Sequence, residues 1–163
     1  MKKYLKNGYR VLDAGCGSGI LSIIGLKLGA SEAVAIDIDP NAVTASKENA
    51  QVNDIHACES LEALKSSENT LAIFQGDVIS DHAFRKELAK QPYEMVVANI
   101  LADVIIPLSK NIAECMTEDG VFISSGIIDM KRDEVREALL TNGFDIIEET
   151  TMGDWVSFVA KKR

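Results

Sequence analysis

Residues Val11-Leu12-Asp13-Ala14-Gly15-Cys16-Gly17-Ser18-Gly19 constrain the fold more than any other stretch, because an apolar run meets an acid and then three glycines at alternate positions. The run reads as a buried strand entering a tight turn. Ile20-Leu21-Ser22-Ile23-Ile24-Gly25-Leu26-Lys27-Leu28 is then long and apolar enough for a helix packed on a sheet. Glycines at such a junction reach positive φ without strain and let a ligand approach the backbone, while the first amides of the helix face that ligand. A dinucleotide fingerprint G-x-G-x-x-G begun at Gly15 needs its third glycine at position 20, where Ile20 stands; here the third is Gly19, and Asp13 precedes the set. A pyrophosphate cradle is the poorer reading.

The 163 residues, 47% hydrophobic and 26% charged, suit a single domain over 1–163 that buries its own core. The start, Met1-Lys2-Lys3-Tyr4-Leu5-Lys6-Asn7-Gly8, is basic but leads into a polar turn, and no run of eighteen apolar residues follows. A soluble, cytoplasmic monomer with no membrane partner is expected. Cys16, Cys58 and Cys115 are odd in number and widely spaced, which suggests free thiols rather than disulfides or a structural metal. A net charge of -8 disfavours direct nucleic-acid binding and suits basic polypeptides, although it also serves solubility.

Strand and helix patterns alternate, so the expected class is α/β with a mostly parallel sheet covered by helices on both faces. Strands are predicted near 9–14, 33–37, 70–74, 93–98 and 121–126, with helices near 19–29, 40–53, 81–90, from about 100 to Met116, and 130–141. Asp39-Pro40 marks a capped helix start, Glu118-Asp119-Gly120 a turn, and Asn142-Gly143 a helix stop. Phe144 to Thr150 and Trp155 to Ala160 form two more strands, joined as an antiparallel hairpin through Met152-Gly153-Asp154. Residues 55–70, with Ser60, Lys65, Ser66, Ser67 and Asn69 around Leu61 and Leu64, read as a surface excursion holding one helical turn. His56 and His82 fall in surface segments, and Trp155 is expected in the hairpin core.

In a doubly wound sheet ligands collect beyond the carboxyl ends of strands, which singles out a few polar residues. Acid-x-Gly-x-Gly-x-Gly is the pattern of methyltransferases that use S-adenosylmethionine (SAM), a cofactor with an amino acid, a ribose and an adenine but no phosphate. Asp37 ends the second strand 22 positions after Gly15, about where such folds place an acid on ribose hydroxyls. Asp77, after Gly76, can accept the exocyclic amine of an adenine while Val78 packs on the ring, and Cys16 lines the pocket as a small residue. Asn99 follows the fourth of these strands. It has no useful basicity, but its side-chain oxygen and the carbonyl of Ile100 can orient an amine so that its lone pair faces a methyl donor. A helix cap is the competing role for Asn99.

Asp13-Ala14-Gly15-Cys16-Gly17-Ser18-Gly19-Ile20-Leu21, Ile36-Asp37-Ile38-Asp39-Pro40, Glu48-Asn49-Ala50, Ala98-Asn99-Ile100-Leu101-Ala102, Ser125-Gly126-Ile127 and Asp154-Trp155-Val156 together resemble the catalytic domain of the PrmA family. That resemblance implies a Rossmann-like SAM-dependent methyltransferase fold with a seven-stranded, mostly parallel sheet and a carboxy-terminal antiparallel hairpin. It implies N-methylation of lysine or amino groups on ribosomal protein L-eleven (L11). Cofactor contacts are implied at Asp13, Gly15, Cys16, Gly17, Gly19, Asp37, Ile38, Asp77, Val78 and Asn99, with Asn99 and Ile100 at the amine. The family also carries an amino-terminal substrate-recognition domain and a Gly-Thr-Gly-x-His stretch, which these residues do not include, so a catalytic-domain fragment is expected. A SAM-binding fragment with little activity, or action on RNA, a glutamine side chain or a small molecule, are the alternatives; the absence of Asn-Pro-Pro-Tyr at position 99 weighs against the glutamine and nucleobase-amine enzymes.

Overall fold

The computed structural model describes residues 1–64 and 70–163, in two compact units, Met1–Asp77 and Val78–Arg163. The Lys65, Ser66, Ser67 and Asn69 part of the expected excursion lies outside the described residues.

The first unit alternates β1 (Arg10–Ala14), α1 (Ile20–Lys27), β2 (Glu32–Asp37), α2 (Pro40–Val52), β3 (His56–Cys58), α3 (Leu61–Leu64) and β4 (Thr70–Gln75). All its strand pairs are parallel, in the order β3-β4-β2-β1, with Asp13 opposite Ala35 and Ile36 opposite Phe74. Val11, Leu12, Val34, Ala35, Leu71 and Ala72 are fully buried, the continuous apolar run expected of strands covered on both faces. α1 packs on β1 and β2, and α2 on β2, β3 and β4. Asp39 caps α2 by accepting the Asn41 amide at 2.8 Å, with Pro40 as the first helical residue. The segment expected to be only a surface excursion holds α3 as its helical turn and, in addition, the edge strand β3. Three residues are too few to show a strand period in sequence.

The second unit contains α4 (His82–Ala89), β5 (Tyr93–Asn99), α5 (Ala102–Ser109), a 3₁₀ turn (Ile112–Cys115), β6 (Met116–Ile128), α6 (Arg132–Thr141), β7 (Phe144–Met152) and β8 (Trp155–Lys162). β5 and β6 are parallel, whereas β8 runs antiparallel to both β6 and β7. β6 is longer than the sequence suggests. Its pairing jumps from Tyr93–Met116 to Met95–Val121, so the turn-forming residues Glu118, Asp119 and Gly120 are absorbed as an irregularity inside the strand. The helix after Asn99 is shorter than expected. It stops at Ser109, two residues after Pro107, whose missing amide weakens the hydrogen-bond ladder, and a 3₁₀ turn carries the chain on to Met116. The core of this unit is built on Phe122, Phe144 and Phe158, the first two with ring centroids 5.6 Å apart.

Candidate functional site

The glycine loop closes the end of β1. The amides of Gly15 and Cys16 both donate to the carbonyl of Ile36, at 2.8 and 3.0 Å, which ties the loop to the end of β2. Gly17 donates its amide to Asp37 Oδ2 at 2.9 Å, and Asp37 Oδ1 accepts the amide of Asp39 at 3.0 Å. Each oxygen keeps a second lone pair, and the side chain stays half-exposed. The Gly76 amide bonds the Asp37 carbonyl at 2.9 Å, so the chain leading to Asp77 is anchored at the same strand end as Asp37.

α2 holds the other side of the loop. Ser46 Oγ donates to the Gly17 carbonyl and Asn49 Nδ2 to the Ser18 carbonyl, each at 2.9 Å. These two residues are three apart and so share a helix face. Sequence reasoning missed both roles. Glu48-Asn49-Ala50 was notable only as part of a resemblance, and nothing local says that Asn49 faces the loop.

Asp13 and Cys16 also make contacts inside the protein. Asp13 is 1% exposed. Its Oδ2 accepts both the amide of Ser22, at 3.1 Å, and the Ser22 hydroxyl, at 2.8 Å. Helix α1 begins after Gly19, which has no side chain to cap it, so Asp13 satisfies a first-turn amide from the neighbouring strand. Asp13 Oδ1 is buried and has no hydrogen-bond partner among the described residues, and burial above all, with some help from Asp37, pushes the carboxyl up to about 6. The Cys16 thiol lies 3.4 Å from Ser46 Oγ, and burial pushes it up to about 12. Ile38 is 70% exposed beside Asp37.

In the second unit Asn99 ends β5 on an exposed position. It does not cap α5, whose cap is Leu101 with no side-chain hydrogen bond. The Ile100 amide donates to the Ser125 carbonyl at 3.1 Å. Gly126 has φ +78° and lies so close that a Cβ there would meet the Ile100 carbonyl oxygen at 2.8 Å and Asn99 Oδ1 at 3.0 Å. Glycine at 126 is therefore what allows the two acceptors to sit where they do. Asn99, Ile100, Leu101, Ser125, Gly126, Met152 and Trp155 line a cleft of about 530 Å³.

Trp155 corrects the expectation of a core residue, since it is 51% exposed and forms part of this cleft. Val156, Phe158 and Ala160 are the most deeply buried residues of β8, and strand alternation turns Trp155 the other way. Pairing places Ile128, Trp155 and Met152 in one row across β6, β8 and β7, hence on one face. Among the described residues no group of His, Cys, Asp or Glu has a metal-binding arrangement, and no helix is long and apolar enough to cross a membrane.

Comparison with known proteins agrees with this layout. A protein from Lachnoclostridium phytofermentans described as ribosomal protein L11 methyltransferase is 57% identical over 99% of this chain and 49% of its own length. The chain spans about half the length of the curated relatives it matches. The crystal structure of a ribosomal protein L11 methylase from Lactobacillus delbrueckii subsp. bulgaricus superposes with a TM-score of 0.79 at 28% identity, over 99% of this chain and 74% of that one. A TehB-like SAM-dependent methyltransferase from Corynebacterium glutamicum shares the fold, with a TM-score of 0.69 at 17% identity over 97% and 82% of the two chains. The fold is thus the Rossmann-like α/β fold of SAM-dependent methyltransferases. The family profile described as ribosomal protein L11 methyltransferase (PrmA) matches residues 1–163, and the chain belongs to that family.

Proposed function

We propose that this chain is the catalytic portion of a SAM-dependent N-methyltransferase that acts on lysine or amino groups of ribosomal protein L11 in the cytoplasm. The observation that carries the reading is the Asn99–Ile100 pair, held against Gly126 and Ser125 in a cleft walled by Trp155 and Met152. The names of the relatives support the same substrate.

The first unit suits the cofactor on its own geometry. Gly17 has φ +53°, and a Cβ built there meets nothing within 4 Å, so the space above the loop is open to a ligand. Asp37 keeps acceptor capacity for ribose hydroxyls, Asp77 follows a segment anchored to the same strand end, and the loop amides lie at the opening of α1. Bound SAM would supply an electrophilic methyl on a sulfonium; the residues of this unit that would hold it are the 15–19 loop, Asp37, Ile38 and Asp77.

The remaining work is orientation and water exclusion. A lysine amine has a pKa near ~10.4 in water and must release its proton before its lone pair can attack. Apolar walls disfavour the ammonium and lower that value. Asn99 Oδ1 and the Ile100 carbonyl then accept the two N–H groups of the neutral amine, leaving its lone pair free. That lone pair is what the methyl group of bound SAM would meet, and the methylated amine would give up its proton to solvent.

Labelled SAM incubated with purified L11 tests this directly, with transfer to L11 expected and label on no protein amine as the refuting result. Because the chain spans half the length of its relatives, a second reading is that it binds SAM but turns over slowly. A full-length relative run in parallel separates the two. Equal rates would remove the second reading.

A further inference from the structure

Resting on the reading of the 15–19 loop as the SAM cradle, we propose that Ser46 and Asn49 are positioning residues that aim the Ser18 amide at the carboxylate of the cofactor's amino-acid end. Both act through the loop backbone.

Every backbone amide is a donor that needs an acceptor, so a loop can donate to a ligand only through an amide that the fold has left unspent. Four of the five amides from Gly15 to Gly19 are spent inside the protein: Gly15 and Cys16 on the Ile36 carbonyl, Gly17 on Asp37 Oδ2, and Gly19 on the Cys16 carbonyl at 2.8 Å. Ser18 remains. Its amide donates to no group among the described residues, and the residue is exposed.

The direction of that amide is set from α2. A trans peptide unit is planar, with its N–H pointing opposite to the carbonyl of the preceding residue. Ser46 is fully buried and its Oγ donates to the Gly17 carbonyl at 2.9 Å, so the Ser18 N–H is turned away from α2. Asn49 Nδ2 donates to the Ser18 carbonyl, also at 2.9 Å, and fixes the next peptide unit. The two units flank Ser18, whose backbone therefore cannot rotate without breaking one of these bonds. Gly19 completes the seat: a Cβ there would meet Ser46 Oγ at 2.9 Å, so glycine is what lets α2 come so close. Asp37 is an acceptor and serves the ribose hydroxyls, whereas the Ser18 amide is a donor and takes an acceptor. Of the acceptors on SAM the carboxylate is the charged one, and a charge-assisted bond is the stronger.

Calorimetry with S-adenosylhomocysteine and its decarboxylated counterpart, which lacks only that carboxylate, tests the assignment. The parent chain is expected to prefer the carboxylate ligand. Ser46→Ala should weaken that ligand by about tenfold, the scale of a hydrogen bond to a charged group, and leave the decarboxylated one within about twofold, so that the preference collapses. Asn49→Ala, at a half-exposed position, should weaken the carboxylate ligand by about fivefold with the same selectivity, and it serves as the test if Ser46→Ala does not fold. Asp37→Ala should weaken both ligands alike, since both carry the ribose. A parent chain with no preference, or equal weakening of the two ligands in Ser46→Ala or Asn49→Ala, would overturn the assignment while leaving the methyltransferase reading intact. A parent chain that binds neither ligand would overturn both.

Discussion

The glycine loop and the Asn99 cleft are kept in place by different kinds of force. Around the loop nearly every fixed position is a polar bond: Asp37 to the Gly17 amide, Ser46 and Asn49 to loop carbonyls, Asp13 to Ser22. Around the cleft one backbone bond, Ile100 to Ser125, works with a steric fit against Gly126 and with walls that are exposed and apolar. Leu101 is 67% exposed and Met152 79%. A site built from acceptors should respond to protonation and to the loss of a single oxygen. One built from close contact should respond to volume.

The largest expected effect tests the polar side of that contrast. Burial raises the Asp13 carboxyl from 3.8 to about 6, so between those pH values the folded chain keeps a proton that the unfolded chain has released. Asp13 therefore favours folding at pH 4, and this contribution is lost as pH rises through 6, where ionisation leaves a buried charge. An asparagine at this position cannot ionise. The stability of Asp13→Asn relative to the parent should rise by about 3 kcal/mol between pH 3 and pH 8, whatever the offset from placing an amide there. Urea unfolding of both chains at the two pH values measures it, and parallel pH dependence would show that Asp13 is not the buried acid of the loop.

Two substitutions separate the regions by function. Gly126→Ala puts a methyl group within 3.0 Å of both acceptors, so methyl transfer should fall about a hundredfold, the scale of a reacting group displaced by an ångström, with SAM affinity unchanged. Asp37→Ala should do the reverse. It removes the ribose acceptor and releases the Gly17 amide, weakening SAM about thirtyfold, as loss of charge-assisted bonds implies, with little change in turnover at saturation. Rates and calorimetry on the same two proteins decide. If each variant lost both properties equally, the division of labour would be wrong.

The two regions were also unequally legible in the sequence. The loop, Asp37 and the Asp39-Pro40 cap could be read because each depends on residue types at short spacing. Their supports could not: Asn49 bonds Ser18 across 31 positions, and only the packing of α2 decides which of its faces meets the loop. Asn99 was visible at a strand end, but the reason for Ser125-Gly126 was not, because it lies in the approach of one strand end to another. β3 and the irregularity in β6 were missed for a related reason, since a three-residue strand and turn-forming residues inside a strand both lack the local period on which such readings rest. Trp155 is the clearest case. A slip of one residue in hairpin register exchanges the two faces, so apolar character alone could not say whether Trp155 or Val156 was buried.

That exposed tryptophan gives the smallest effect and the one most specific to the apolar side. Trp155 is the only tryptophan in the chain and stands in one row with Ile128 and Met152 beside Asn99 and Ile100. If its ring lowers the pKa of the amine by excluding water, Trp155→Ala should reduce methyl transfer about fivefold near neutral pH and much less above pH ~9, since the amine's pKa returns toward ~10.4 as water enters. Trp155→Phe, which keeps an apolar ring, should stay near the parent profile. Substitution of Asp37, which acts on the cofactor, should lower activity at subsaturating SAM without moving the profile at all. A pH–rate profile for each variant with L11 as acceptor supplies the comparison. A uniform loss across pH in Trp155→Ala would mean that the ring only positions the substrate, and that the cleft, like the loop, works by orientation rather than by desolvation.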